Sequence, residues 1–382
     1  MLVVKVLKFW KPKESFLVLQ VSPERINGLL LGLDADKKIY ARKYFEDTSW
    51  ARLAARPDLK HLVKNVIVAA DSSLAYTATI PVTLNRESPE EPLVAPELEN
   101  LLSQAVGRVF NQCRQEAGRY LEMDDLDVVL VGSRVINFKI DGHRVLNPLE
   151  FSARKVEAVL ELTLTVRSVL DGVKTILKNK PNFYFTETAR AELAVLARDH
   201  KPPLSLLYLS EQRSICLIME SSPVGQIFTR HPLKWSSLSI AQALTKEWGV
   251  DSGVAHRIYH LFLGSKFSER SSKAVRKSME PVRMSLMKAI DSVHPRGRVY
   301  INSPLPLFME MPLRRGRMSI EEVSVEDLAK HFGFSIDERN WPISISQTMR
   351  YLAPFWEYYY DRSDSTVNRW LKRHLNWLGA QI

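Results

Sequence analysis

At 382 residues, 45% of them hydrophobic and 25% charged, the chain is long enough for two domains and too apolar to be disordered. Its net charge of +10, from 53 Lys and Arg against 43 Asp and Glu, points to acidic partners, and its two cysteines, Cys113 and Cys216, exclude a disulfide-stapled scaffold and read as small core residues in a reducing compartment. No run reaches the roughly 18 to 20 apolar residues of a membrane-spanning helix. Lys5, Lys8 and Lys11 interrupt the apolar start before a signal-peptide core can form, so a cytoplasmic location is expected.

After a basic N-terminal segment (1–14), the β-rich runs Phe16–Leu19, Ile26–Leu33 and Ile39–Phe45 predict a meander of strands, with Asp34-Ala35-Asp36-Lys37-Lys38 as a turn before the third. Asn65–Ala70 and Thr77–Val82 predict two more strands. Leu98–Tyr120 carries Leu101, Leu102, Ala105, Val109 and Cys113 at helical spacing, and Asp127–Val131, Val135–Ile140 and 156–165 predict strands, with a turn at Asp141-Gly142. Residues 83–165 therefore read as a small α+β insert in a first domain made of 15–82 and 166–201, to which 346–360 returns.

Helical stretches at 166–179 and 187–198 lead to Pro202-Pro203, a linker signal, after which the opening pattern repeats with strands at Leu204–Leu209, Ile215–Met219 and Gln226–Arg230. Helices follow near Ser237–Trp248, Asp251–Leu263 and Pro281–Val293, the last with Pro281 in its first turn, and then a strand at Val299–Asn302. This second domain, 202–345, contains a reduced helical subdomain at 241–297. Between Lys246 and Arg298 eleven basic residues outweigh five acids, a local charge of +6. The expected class is α/β, with a duplicated β-meander followed by helices.

Residues 361–382 read as a polar linker with an N-cap, Asp361-Arg362-Ser363-Asp364-Ser365, followed by a basic amphipathic helix. At 100° per residue Val367, Trp370, Leu371, Leu375, Trp377, Leu378 and Ile382 share an arc of roughly 160°, interrupted by His374 and Gln381, while Arg369, Lys372, Arg373, Asn368 and Asn376 take the other side. Tryptophans at headgroup level and a cationic, acid-free polar face suit a helix lying in the plane of an anionic membrane surface, so Val367, Arg369, Trp370, Leu371, Lys372, Arg373, Leu375, Trp377 and Leu378 are the candidate membrane-binding residues.

Ile140-Asp141-Gly142-His143-Arg144-Val145-Leu146-Asn147-Pro148-Leu149, Glu280-Pro281-Val282-Arg283 and the terminal amphipathic helix together resemble the FtsA and PilM branch of the bacterial actin-like ATPases. The resemblance covers residue 15 to the end and implies an actin-like fold, in which two RNase H-like domains flank a nucleotide cleft. It also implies membrane targeting by the tail, which FtsA has and PilM lacks. The family's first phosphate loop, Asp-Ile-Gly with a following Lys, falls on Gln20-Val21-Ser22-Pro23-Glu24-Arg25-Ile26-Asn27. Its second, Asp-Ile-Gly-Gly-Gly-Thr-Thr, falls on Tyr208-Leu209-Ser210-Glu211-Gln212-Arg213-Ser214, and the adenosine-side glycine pair falls near Ser303-Pro304.

Such loops need glycine so that backbone N–H groups reach phosphate without a Cβ in the way, and a carboxylate to organise Mg²⁺ through water. Gln20, Ser22, Asn27, Ser210, Glu211 and Gln212 stand there without the glycines and without the acid at its family position, and Glu24 and Glu211 repel phosphate. The expectation is a pseudo-ATPase with no catalytic residues and no bound ATP or Mg²⁺. By the resemblance the chain is a scaffold that tethers a division partner of the FtsZ type to the inner face of the membrane and stacks into homopolymers. The partner's acidic peptide is expected on Lys266, Arg270, Lys273, Arg276, Lys277, Arg283 and Lys288, residues that read equally as a solvated helix face. A PilM-like pilus adaptor and an active polymerising ATPase are the alternatives. Charge alone motivates nucleic-acid binding, which no basic-aromatic motif supports. His256 and His260 stand four apart on a predicted helix with no third metal ligand in the pattern, so no metal is expected.

Overall fold

The computed structural model describes residues 14–56, 59, 63–177, 182–303, 313–315, 318–337, 341–360, 367, 368 and 371. β1 (Glu14–Val21), β2 (Ile26–Leu33) and β3 (Lys38–Thr48) form the expected antiparallel meander, and after α1 (Trp50–Ala54) the strand β4 (Asn65–Ala70) runs parallel to β1. All six residues of β4 are buried, which is why its sequence is a continuous apolar run rather than an alternation.

β5 (Ala75–Asn85), α2 (Ala95–Leu121), β6 (Val128–Ile140), β7 (His143–Val145) and β8 (Lys155–Val166) make the insert, a sheet of order β5-β8-β6-β7 backed by α2. Leu98, Leu102, Ala105, Val106, Cys113 and Ala117 face that sheet, the i, i+3, i+4 rhythm that predicts the helix. Two boundaries differ from the sequence reading. β5 starts at Ala75 and pairs with β8 along its whole length, so the insert begins there rather than at 83. The two strands read at 127–131 and 135–140 are one, because register shifts at Leu130/Gly132 and Val135/Asn137 break the alternation of side chains.

The chain returns through α3 (Arg167–Leu177), β9 (Asn182–Glu187) and α4 (Thr188–Asp199), and then repeats itself in β10 (Leu204–Tyr208), β11 (Ile215–Ser221) and β12 (Gln226–Pro232). Next come α5 (Leu238–Trp248), α6 (Ser252–Leu263), α7 (Glu269–Val293), β13 (Arg298–Asn302), β14 (Leu313–Arg315), β15 (Met318–Glu322), α8 (Val325–His331), β16 (Ser335–Ile336) and α9 (Ile345–Tyr360). Duplication shows in the strand orders, β16-β3-β2-β1-β4-β9 and β12-β11-β10-β13-β15-β14: each half is an antiparallel meander whose first strand continues into parallel partners.

α7 begins twelve residues before Pro281, which lies in its interior instead of its first turn. Ser268 caps the true start by accepting from the Ser271 N–H, and buried Val275 and Met279 anchor the turns ahead of the proline, so the missing N–H costs one bond without ending the helix. Ser335–Ile336 pairs with β3, so the second half hands the chain back to the first sheet at β16, before α9.

α4 and α9 share one core with both large sheets, in which Phe16, Leu193, Tyr208, Phe355 and Trp356 are buried together. α9 is also pinned by charge. Glu357 accepts from Arg134 at 2.8 Å and from Thr186 at 2.9 Å and pairs with Arg190, while Glu161 accepts from Arg134 at 2.6 Å and Arg190 at 2.9 Å. Each buried carboxylate thus faces two guanidinium groups, as buried charge requires.

Candidate functional site

A cavity of about 270 Å³ opens between the halves, at the C-terminal ends of β1, β4 and β10, the position at which open α/β sheets take ligands. Gln20, Ser22, Asn27, Ser210, Glu211 and Gln212, assigned from sequence to two separate loops, all line it. The loops touch each other. Arg25 of the β1–β2 turn pairs with Glu211 of the β10–β11 turn, and Gln212 Nε2 donates to Glu24 Oε1 at 3.2 Å. Gln20 is consumed by the protein: its Oε1 accepts from Thr188 Oγ1 at 3.0 Å and its Nε2 donates to the Arg350 carbonyl.

Beneath the loops lies a polar floor that sequence reasoning did not find. Asp71, directly after β4, accepts from Ser73 N at 3.0 Å and Ser73 Oγ at 2.8 Å on its own side, and from Ser210 Oγ and Tyr208 Oη, both at 3.3 Å, across the cleft. Arg350 of α9 donates to the Leu209 carbonyl at 2.7 Å and lies 4.7 Å over the Tyr208 ring. Glu192 is fully buried and accepts from Asn302 Nδ2 at 2.7 Å, while its Oε2 has no hydrogen-bond partner among the described residues. Burial pushes its carboxyl up to about 7 against the opposing charge of Arg350 and the Asn302 bond, with Asp71 reinforcing the rise. Burial likewise pushes the Tyr208 hydroxyl well above its usual range. The signal for Asp71 was a carboxylate at the end of a buried parallel strand; Glu192 and Arg350 gave none, because a charge on a helix reads as solvated until its neighbours are known.

A second polar node joins the three parts of the molecule. Arg230 of β12 donates to both oxygens of Glu187, at 2.7 and 2.5 Å, and Glu187 also accepts from Ser72 Oγ at 2.8 Å and from the Thr77 N–H of β5 at 3.0 Å. The guanidinium stacks over Tyr76 at 5.0 Å and over Tyr120 at 4.9 Å. Cys113 and Cys216 are buried free thiols, pushed by burial up to about 11 and about 12. His256 Nδ1 contacts its own helix at the Ser252 carbonyl, 2.8 Å away, and among the described residues no group of three metal-ligating side chains forms.

The tail departs from the membrane assignment where it is described. Leu371 is fully buried and Val367 half-buried in the core shared by the first sheet and the insert, so these two residues face the protein instead of lipid. The reason is an open edge: β7 pairs only with Phe138–Ile140, leaving the earlier part of β6 without a second neighbour among the described residues. Asn368 occupies that edge as a strand would, its Oδ1 accepting from the Val135 N–H at 2.9 Å and its Nδ2 donating to the Val135 carbonyl at 3.3 Å. Arg369, Trp370, Lys372, Arg373, Leu375, Trp377 and Leu378 lie outside the described residues. No described helix is long and apolar enough to cross a membrane.

The basic helix is less of a cluster than its sequence implies. Arg270, Lys273, Arg276, Lys277 and Lys288 are exposed on α7 and Lys266 is exposed just before it, whereas Arg283 is half-buried and paired with Glu280. At 100° per residue Arg270, Lys277 and Lys288 fall within about 20° of one another, with Arg276 and Arg283 more than about 100° away.

No protein-family model matches the chain, and no curated protein does so at a significant level. Among solved structures, a chain of a PilM–PilN type IV pilus biogenesis complex is 14% identical with a TM-score of 0.52, over 91% of this chain and 97% of that one. A Bacteroides thetaiotaomicron protein of unknown function with an actin-like ATPase fold is 11% identical with a TM-score of 0.36, over 78% and 86%. A nucleotide-free diol dehydratase-reactivating factor is 9% identical with a TM-score of 0.41, over 90% and 100%. At 14% identity the likeness to the pilus chain is one of fold alone, the actin-like arrangement of two duplicated halves.

Proposed function

We propose that this actin-like chain is a scaffold for a protein partner and performs no nucleotide chemistry, its cleft having become an internal joint. The observation that carries the reading is the direct bridge between the two phosphate-loop positions, Arg25 to Glu211 and Glu24 to Gln212. Neither loop contains a glycine, both carry an acid, and Gln20 spends its amide on Thr188 and Arg350, so ATP and Mg²⁺ do not fit the residues present. Isothermal titration with Mg-ATP is expected to give no binding isotherm at millimolar nucleotide. A saturable heat with a micromolar Kd, abolished by substituting Asp71, sinks the reading.

The finer assignment follows FtsA: the tail attaches the scaffold to the inner face of the cell membrane, where the body holds a division partner of the FtsZ type. What supports it is the rest of the apolar arc read from the sequence, Trp370, Leu375, Trp377 and Leu378, beside the docked Val367 and Leu371. Full-length protein is expected to float with anionic vesicles and the W370A/W377A variant to sediment; equal flotation of the two removes the membrane function from the tail. A PilM-like adaptor is the second reading, favoured by the 14% identical pilus structure and by the docking of Val367 and Leu371 on the body, which gives the tail a structural use of its own.

A further inference from the structure

On the opposite side of the β10–β11 turn from the cleft lies an open groove of about 640 Å³, walled by the end of α2, the residues after β12, and α7 at Ser285. It shares only Gln212 with the cleft, and none of the described tail residues lines it. Three cations line it, Arg119, Arg213 and Lys234, against one acid, Glu122.

Arg213 is held ready for a carboxylate. Its guanidinium lies 5.0 Å over the Tyr120 ring, which Arg230 fixes by stacking at 4.9 Å, so the fork is oriented by buried structure. Its present partner is not so held. Glu122 reaches it at 2.7 Å with a side chain 80% exposed, a solvent-screened surface pair that adds little and that a second carboxylate can replace. Arg119 and Lys234 are exposed and enter no ion pair among the described residues.

Ser285 brings the groove to α7. Lys288 is one turn beyond Ser285, and the stripe Arg270, Lys277, Lys288 spans eighteen residues, about 27 Å at 1.5 Å per residue. That is the length of about eight residues of extended chain. We infer that the groove and stripe bind an acidic linear segment of a protein partner, one of whose carboxylates displaces Glu122 from Arg213. The inference rests on the scaffold reading and moves its partner site off the outer face of α7, so that Arg276 and Arg283 take no part.

The probe is a fluorescein-labelled decapeptide of Asp and Glu, followed by anisotropy with the full-length protein at low and physiological salt. Binding that weakens with salt is expected, with R119E/K234E weakening it at least about tenfold, E122Q tightening it, and R276A/R283A leaving it within about twofold. Circular dichroism melts on the same samples separate lost binding from lost fold. If R119E/K234E binds as wild type while K277E/K288E does not, the groove is wrong and an acidic partner on α7 survives. If no acidic peptide binds, the groove fails while the absence of nucleotide binding is still judged by titration. A single-stranded oligonucleotide that competes equally well also overturns it, since the surface is then merely cationic.

Discussion

Replacing Arg230 with methionine is expected to cost about 3–5 kcal/mol of stability, the loss typical when one member of a buried ion pair is removed and the other stays behind. The Arg230 side chain is 7% exposed and that of Glu187 not at all, so water cannot take over the abandoned carboxylate. Ser72 and the Thr77 N–H would remain as its donors, too few to hold a full charge in that surrounding. The guanidinium also leaves the rings of Tyr76 and Tyr120, and with them the joint between insert and second half. Urea unfolding of R230M, E187Q and the double variant gives the coupling directly. E187Q/R230M should recover most of the loss, because no charge is then left unpaired. A single R230M loss below about 1 kcal/mol means that the node does not hold the halves together.

How much of this was legible beforehand depended on whether a feature was local. The meanders were, because Ile26–Leu33 and Ile215–Ser221 bury continuous apolar runs in β2 and β11, and strand signals need no distant partner. The two phosphate-loop positions came from the family resemblance alone, and their residues line a single cavity. β9 was missed, since Asn-Phe-Tyr-Phe-Thr-Glu is short and becomes a strand only by lying parallel to β4. The Leu371 burial was equally hidden: an amphipathic helix declares that one face needs covering, and nothing in its own residues says whether lipid or β6 does so. Arg230 and Glu187, 43 residues apart on different halves, look like ordinary surface charges until the fold brings them together.

The pH dependence of stability should identify Glu192 as a neutral carboxylic acid beneath the cleft. Burial raises its pKa to about 7, while in the unfolded chain a glutamate titrates near 4.3. Below about pH 4 both states hold the proton and the group's contribution to stability is complete. Between those values the folded state keeps a proton that the unfolded state has released, so stability falls as pH rises and is lost through about 7. The difference amounts to about 4 kcal/mol across the window, at 1.36 kcal/mol per pH unit. E192Q keeps an acceptor for Asn302 but has no proton to lose. It should therefore flatten the slope of urea midpoint against pH from 5 to 8 and exceed wild type at the alkaline end; parallel curves for the two proteins would refute the assignment. The sign carries functional meaning. Asp71 and Glu192 both face Arg350, and burial favours the neutral form of Glu192, the form that a bound divalent ion would disfavour. Millimolar Mg²⁺ should accordingly leave the pH profile unmoved, whereas a cleft that took the ion would gain stability above pH 7 as the metal drove the proton off Glu192.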